Sequence, residues 1–303
     1  MTKHKYIKQG VILGIVSFFF SACSLTQATL PPKYTLTNDQ LQKSQFSLKK
    51  GKSISLSSLV TETEKYPVIF VGDHHNTEET HKLFNRYLQA LAKKGYRIHL
   101  ANEWFTPEHN KLLKQYTDGK ISSEELRKKR GWDTFTSMRW DLVASLYKTV
   151  KDSSGRLYGV NISKEERKKI SLQQINLMNK DEKKFYDELD IDVSAHKDLI
   201  IPYFDHCNKM PKKSHEPCKE RMYRVQVSWD TFMAKESLKI AKNEVKTNKD
   251  KLIVFAGALH MEYGLGIPLR FSRENNLPFY IISNHKRSSD AIDVQKADAV
   301  FIY

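Results

Sequence analysis

The fold is indicated by the stretch from Pro67 to His75, which reads PVIFVGDHH. Its apolar start is short and largely β-branched, the pattern of a buried strand, and Gly72 lets the chain turn sharply where that strand ends. The stretch from Lys251 to His260, KLIVFAGALH, has the same arrangement. In both stretches a histidine follows the glycine in a Gly-x-x-His pattern. Each stretch therefore predicts a strand with an imidazole beyond its carboxyl end.

Helical and extended segments alternate around these two stretches. Thr77 to Lys94 carries apolar residues at helical spacing, and residues 46–56 alternate around a glycine as in a hairpin. Other strands are predicted at Arg97–Ala101, Leu157–Val160, Pro278–Ile282 and Ala299–Tyr303. Strands alternating with helices predict an α/β fold, with a mostly parallel open sheet flanked by helices.

Residues 163–247 contain no good strand pattern. They predict a helical insertion between the third strand and the second Gly-x-x-His strand. The insertion ends in a long helix, and Trp229 and Phe232 lie on the apolar face of that helix. At helical spacing such aromatic residues indicate core packing.

Chemically useful side chains follow the strand ends. Sites in open parallel sheets form outside the carboxyl ends of the strands, and Glu103 follows the second strand. We therefore expect His75, Glu103 and His260 at one edge of the sheet. This set could hold a divalent metal, or could activate water with the glutamate as base. Asp73 is expected to orient an imidazole or to cap the following helix.

The first residues of the chain have the features of an export signal. Lys3, Lys5 and Lys8 precede the apolar run from Val11 to Phe20, and Ser21-Ala-Cys23 follows. A membrane span needs roughly 20 apolar residues, so this shorter run indicates a signal peptide. Small residues before the cysteine favour lipidation of Cys23, and Ser24 after it favours the outer membrane. The alternative is an ordinary cleaved signal peptide with an incidental cysteine.

These features predict the organisation of the chain. We expect a signal peptide at 1–22, a lipidated cysteine and tether at 23–45, and a single α/β domain at 46–303. The formal net charge is +15, and removing the three lysines of the signal leaves 15 − 3 = +12. Such a charge does not select a partner by itself. No nucleic-acid motif is present, and export argues against that partner.

Cys207 and Cys218 are the other two cysteines, in the stretch HCNKMPKKSHEPC. In an oxidising compartment this spacing favours a disulfide. The alternative is a zinc site that also uses His206 and His215, although the usual close pair of ligands is missing.

Several segments resemble a known family. They are Val71–Glu78, Glu103–Phe105, Gly131–Asp133, Leu157–Asn161, Val227–Ala234 and Gly257–Pro268. Paired Gly-x-x-His motifs with an intervening glutamate resemble the Tiki/TraB-like superfamily, which includes the erythromycin esterases. The resemblance is closer to the ChaN haem-binding lipoproteins and covers nearly all of residues 50–285.

The resemblance implies a role in haem acquisition. It implies that haem is held by tyrosine at a dimer interface, with His and Lys of the facing subunit on the propionates. Tyrosinate is a suitable ligand for ferric haem that is to be carried. Tyr263, in a Gly-rich loop beyond His260, is the best-placed candidate, with Tyr147 and Tyr203 as alternatives. The propionate candidates are His75, His260 and Lys82, with His206 and His215 as rim contacts.

The implied partners are haem, the membrane through a lipid anchor, a second copy of the chain and an outer-membrane haem receptor. Two other functions stay open. One is a hydrolase that uses His75, Glu103 and His260, either with a metal as in Tiki-like peptidases or with His and Glu as in the esterases. No Gly-x-Ser-x-Gly nucleophile motif is present, which disfavours serine chemistry. The other is an interaction scaffold in which the set is only structural.

Overall fold

A computed structural model describes residues 33–42, 46–288 and 291–303. The predicted signal peptide and Cys23 lie outside the described residues. Residues 33–42, which were expected in the tether, are described. Lys33 and Tyr34 pair with Asp293 and Ile292, and Leu36 is buried. Residues 33–42 therefore belong to the folded domain, because they cover the apolar cluster that includes Ile292.

The strands are β1 (Lys33–Tyr34), β2 (Phe46–Lys49), β3 (Lys52–Ile54), β4 (Val68–Asp73), β5 (Arg97–Asn102), β6 (Leu157–Gly159), β7 (Asp250–Gly257), β8 (Phe279–His285), β9 (Ile292–Asp293) and β10 (Ala299–Ile302). The α-helices are α1 (Asn38–Gln42), α2 (Leu56–Thr63), α3 (Glu78–Lys93), α4 (Asn110–Thr117), α5 (Ser123–Arg130), α6 (Trp132–Phe135), α7 (Trp140–Asp152), α8 (Lys164–Ser171), α9 (Lys180–Asp187), α10 (Ser194–Ile200), α11 (His215–Glu244) and α12 (Ile267–Arg273).

The main sheet has the order β3-β2-β10-β8-β4-β7-β5-β6. All neighbours from β10 to β6 are parallel, and the β2–β3 hairpin joins β10 in the antiparallel sense. The predicted α/β fold with a mostly parallel sheet is thus confirmed. The antiparallel hairpin covers the edge that β10 would otherwise expose.

Both faces of the sheet are covered, as the continuous apolar strands require. In β4 the side chains alternate between the faces. Ile69 and Val71 pack with the cluster of α2, α3 and α7, whereas Val68 and Phe70 pack with the cluster of α11 and α12. This alternation fixes the register of β4, since a slip of one residue would exchange its two faces.

The insertion is helical throughout residues 163–247, with α8 to α11 and short 3₁₀ turns. Its long helix α11 packs on the sheet through Met233, Ala234 and Leu238. Trp229 and Phe232 pack against the core clusters but are only partly buried. The prediction that they are core residues therefore holds only in part. Among the described helices, none combines the length and the apolarity that a membrane span requires.

Candidate functional site

The carboxyl ends of four parallel strands meet at one edge. Asp73 of β4 pairs in register with Gly257 of β7, and Asn102 of β5 lies between Phe255 and Gly159. Gly72 is needed at this edge, because a Cβ there would lie 2.9 Å from the Cα of Ala258. The loops that follow β4, β5 and β7 therefore leave the sheet side by side.

Glu103 stands between the two histidines that follow β4 and β7. Its Oε1 is 2.9 Å from His75 Nε2, and its Oε2 is 3.9 Å from His260 Nε2. The backbone N–H of Gly257 donates to Glu103 Oε2 at 3.0 Å. The side chains that the sequence predicts at one edge are thus brought together around this glutamate.

A second carboxylate lies behind each histidine. His75 Nδ1 is 2.8 Å from Asp73 Oδ2, and His260 Nδ1 makes a short contact with Asp230. Asp73 therefore orients an imidazole, whereas Thr77 occupies the N-cap position of α3. Each ring presents Nε2 to Glu103, so the set has the order Asp73, His75, Glu103, His260, Asp230.

Asp230 is the functional residue that sequence reasoning missed. It is fully buried on α11, and its other oxygen forms an ion pair with His196 Nε2 at 3.2 Å. The amide of Gln226 lies 2.9 Å from His260 Nδ1. The sequence did contain a signal for Asp230, namely a carboxylate on the buried side of a long amphipathic helix. A buried charge needs a partner, so this position predicts an interaction with another polar group.

The neighbouring carboxylates favour the charged form of both histidines. Burial alone would lower the pKa of His75, but the hydrogen bonds to Asp73 and Glu103 outweigh it and raise that pKa to about 10. Burial likewise opposes the charge of His260, and Asp230 outweighs it, so its pKa is also raised. Hydrogen bonding to these carboxylates therefore favours the charged form of both rings.

We expect a loss of stability at alkaline pH. The pKa of His75 is raised from 6.5 to about 10, so its contribution is complete below pH 6.5 and is lost as the pH rises through about 10. The ring is 47% exposed, so screening limits the contribution to about 1 kcal/mol, or about 2–4 °C in the unfolding midpoint. Thermal unfolding between these pH values measures it, with His75→Gln as control. An unchanged slope in His75→Gln would contradict the assignment.

The geometry does not favour a metal on this set. Among the described residues, the His/Cys/Asp/Glu group that lies close enough to share an ion is His206, Cys207 and Cys218. The two cysteines form a disulfide, with 5.6 Å between their Cα atoms, so they offer no thiolate to zinc. His215 Nε2 instead bonds Met210 O.

The candidate tyrosines lie in different environments. Tyr263 and Tyr203 are 41% and 61% exposed, and they are close enough to interact electrostatically. Tyr147 is buried, and its hydroxyl donates to Asn102 Oδ1 at 3.0 Å. We therefore withdraw Tyr147 as an iron ligand, because its oxygen is committed inside the core.

Lys82 is not brought to these tyrosines. It forms an ion pair with Glu78 at 2.5 Å and lines a different cleft with Asp141. The pair with Glu78 follows from their spacing of four residues on α3. We withdraw it as a propionate contact to Tyr263-bound haem.

Fold and site together define an α/β protein that holds two carboxylate-bound histidines over the carboxyl edge of its sheet. The family model for haem-binding uptake proteins of the Tiki superfamily, ChaN, matches residues 59–271. The chain therefore belongs to this family, which confirms the resemblance seen in the sequence.

Comparison with one solved structure agrees on the fold. The structure described as cofacial haem binding to ChaN of Campylobacter jejuni has a TM-score of 0.66 and 18% identity, covering 86% of this chain and 98% of that one. The type III effector HopBA1 has a TM-score of 0.44 and 15% identity, with coverages of 82% and 92%. An open erythromycin esterase EreC mutant has a TM-score of 0.44 and 9% identity, with coverages of 80% and 77%. No curated protein matches the chain.

Proposed function

We propose that this protein binds haem for uptake and holds the iron through a tyrosinate at an interface between two copies of the chain. Membership of a haem-binding uptake family supports the first part. The observation that carries the second is a cavity of about 780 Å³ that Tyr263 lines. Its volume lies within the range of about 300–1,000 Å³ typical of cofactor sites.

The lining of this cavity suits a porphyrin. Its apolar side chains include Leu269, Phe279, Ile281 and Val294, which match the apolar plane of the macrocycle. Two cations, Lys50 and Lys296, also line it. Lys296 is already paired with Glu262 at 2.8 Å, whereas Lys50 has no ion pair with any described residue. Lys50 is therefore the cation that we assign to a propionate.

The phenol of Tyr263 is held in place by a hydrogen bond that favours its protonated form. Its hydroxyl donates to Asp293 Oδ2 at 3.0 Å, and burial together with that carboxylate raises its pKa. Ferric iron must therefore displace the phenolic proton, so haem affinity rises with pH. The backbone of Tyr263 has a φ of 56°, a left-handed conformation that costs roughly 1–2 kcal/mol outside glycine. Such strain is concentrated at functional sites.

The surroundings of Tyr263 also favour a second copy of the chain. Tyr203, which interacts electrostatically with Tyr263, is 61% exposed, and Met210, seven residues further along the chain, is 40% exposed. The exposed lysines 209, 212 and 213 follow Tyr203 in the disulfide loop. A two-fold dimer would present this same face from both copies, and would add cations for the propionates. The disulfide keeps the loop closed where the partner binds.

Haemin titration of the full-length protein in detergent micelles tests the proposal. We expect a saturable ferric tyrosinate spectrum, and a change in sedimentation from one copy of the chain to two. Saturable binding without any change in mass would contradict the interface. Absence of a saturable spectrum would contradict haem binding altogether.

The lipid anchor remains a proposal based on sequence alone. We propose that Cys23 is lipidated and that the protein lies at the outer membrane, where haem could pass from a receptor. Growth with labelled palmitate should label the wild type, whereas Cys23→Ser should stay unlabelled and leave the membrane fraction. Cys218→Ser is the matched control and should keep the label. Label retained in Cys23→Ser would show that lipidation occurs elsewhere.

A hydrolase that uses His75, Glu103 and His260, with a metal or with His and Glu alone, stays a prediction. The contacts above explain how the set could move protons, but no observation favours a particular substrate for it. The scaffold alternative is likewise untested.

A further inference from the structure

A second cleft opens beside Glu103, with a volume of about 370 Å³. Its lining combines aromatic rings with polar and cationic groups, and includes Trp104, Phe135, Asn161, Lys164, Arg167 and Trp229. It shares no lining residue with the cavity at Tyr263. This cleft is therefore a separate place where a small molecule could bind.

Two polar atoms of the lining residues have no hydrogen-bond partner in the described chain. They are the indole Nε1 of Trp104 and the amide Oδ1 of Asn161. Trp104 is 9% exposed, so water does not readily satisfy its N–H. The other end of the Asn161 amide donates to Glu103 O at 2.9 Å, which fixes the amide with its oxygen unpaired. Unpaired buried groups are unusual and costly.

The rim of the cleft carries free positive charge. Lys164 and Arg167, on the first turn of α8, form no ion pair with any described residue. Arg167 instead lies over the ring of Trp229, 5.4 Å from its centroid. Stacking holds the guanidinium in place while its N–H groups stay available, which is the arrangement that recognises a carboxylate.

We propose that this cleft binds a small aromatic carboxylate. Arg167 and Lys164 take the carboxylate, while the rings of Trp229 and Phe135 pack against the ligand ring. Phe135 is 47% exposed and is held by Arg130, whose guanidinium carbon is 3.5 Å from the ring centroid.

The four tryptophans of the chain provide the readout. Indole N–H signals of the full-length protein are followed by NMR during titration with 4-hydroxybenzoate, assigned through Trp229→Phe and Trp140→Phe. We expect saturable shifts of the Trp104 and Trp229 signals. Trp140 packs against the core and should not shift. The uncharged 4-hydroxybenzyl alcohol, which keeps the ring and the hydroxyl, should bind much more weakly.

Charge variants on one helix make the test specific. Arg167→Gln should weaken binding about tenfold or more, since hydrogen bonds to charged groups contribute about 1.5–3 kcal/mol. Lys168→Gln removes the same charge from the same helix but does not line this cleft, so it should bind as the wild type does. The proposal is wrong if millimolar 4-hydroxybenzoate shifts neither indole, if the uncharged alcohol binds equally well, or if the two variants lose affinity equally.

Discussion

Replacing Tyr263 with Phe is expected to abolish the ferric tyrosinate charge-transfer band and to weaken haem binding about a hundredfold or more. Residues that merely support a metal ligand already contribute about 10–100-fold to affinity, so loss of the ligand itself should exceed that. Phe keeps the ring that lines the cavity and bears the same backbone cost at a φ of 56°. The change therefore isolates the phenolic oxygen. Visible spectra and haemin titration measure it.

Tyr203→Phe is the matched control. Tyr203 is more exposed than Tyr263 and lies near it, yet it does not line the cavity. We expect the Tyr203→Phe protein to keep the charge-transfer band and to lose only part of its tendency to dimerise. If instead this variant loses the band and Tyr263→Phe keeps it, iron is bound by Tyr203, and the cavity does not seat the haem.

Replacing Asp230 with Ala should lower the free energy of unfolding by about 3–5 kcal/mol, the range for removing one partner of a buried ion pair. Asp230 is fully buried and contacts both His260 and His196. Burial alone would raise its pKa, but His260 and His196 outweigh it and lower the pKa from 3.8 to about 2. The carboxylate therefore stabilises the fold above pH 3.8, and this contribution is lost as the pH falls through about 2.

Urea unfolding followed by circular dichroism measures this loss. Glu220→Ala is the control, because Glu220 is an exposed carboxylate on the same helix that pairs with Lys197. We expect no measurable change there, as is usual for exposed ion pairs. Equal stability of the wild type and Asp230→Ala would show that Asp230 is not the charge that holds His260. Asp230→Asn should fall between the two, since it keeps the shape but not the charge.

The sheet could be predicted because the apolar composition of its strands shows that they are buried. PVIFVG and LIVFAG are continuous apolar runs that end in glycine, and such runs occur where helices cover both faces. Parallel pairing then requires their ends to share an edge, so the meeting of His75, Glu103 and His260 followed from local pattern alone.

The remaining contacts of the site depend on how the helices pack against the sheet, and a local sequence pattern does not predict that packing. Asp230 lies more than one hundred residues from Glu103 in sequence, and only the path of α11 across the sheet brings it to His260. Docking of α7 likewise buries Tyr147 against Asn102. Residues 33–42 were expected in a tether for a similar reason, because their partners, such as Ile292, lie at the other end of the chain. The pair of Lys82 with Glu78 is different, because the two residues lie four positions apart on α3 and their spacing is visible in the sequence.

Competition for haem with serum albumin tests the central claim most directly, because haemin adheres to many proteins without specificity. The full-length protein is mixed with haemin-loaded albumin, separated from it, and its visible spectrum recorded. We predict that haem transfers to the wild type in a saturable way and shows the tyrosinate spectrum, and that it stays on albumin in the presence of Tyr263→Phe. If all of the haem stays on albumin in the presence of the wild type, the protein is not a haem carrier.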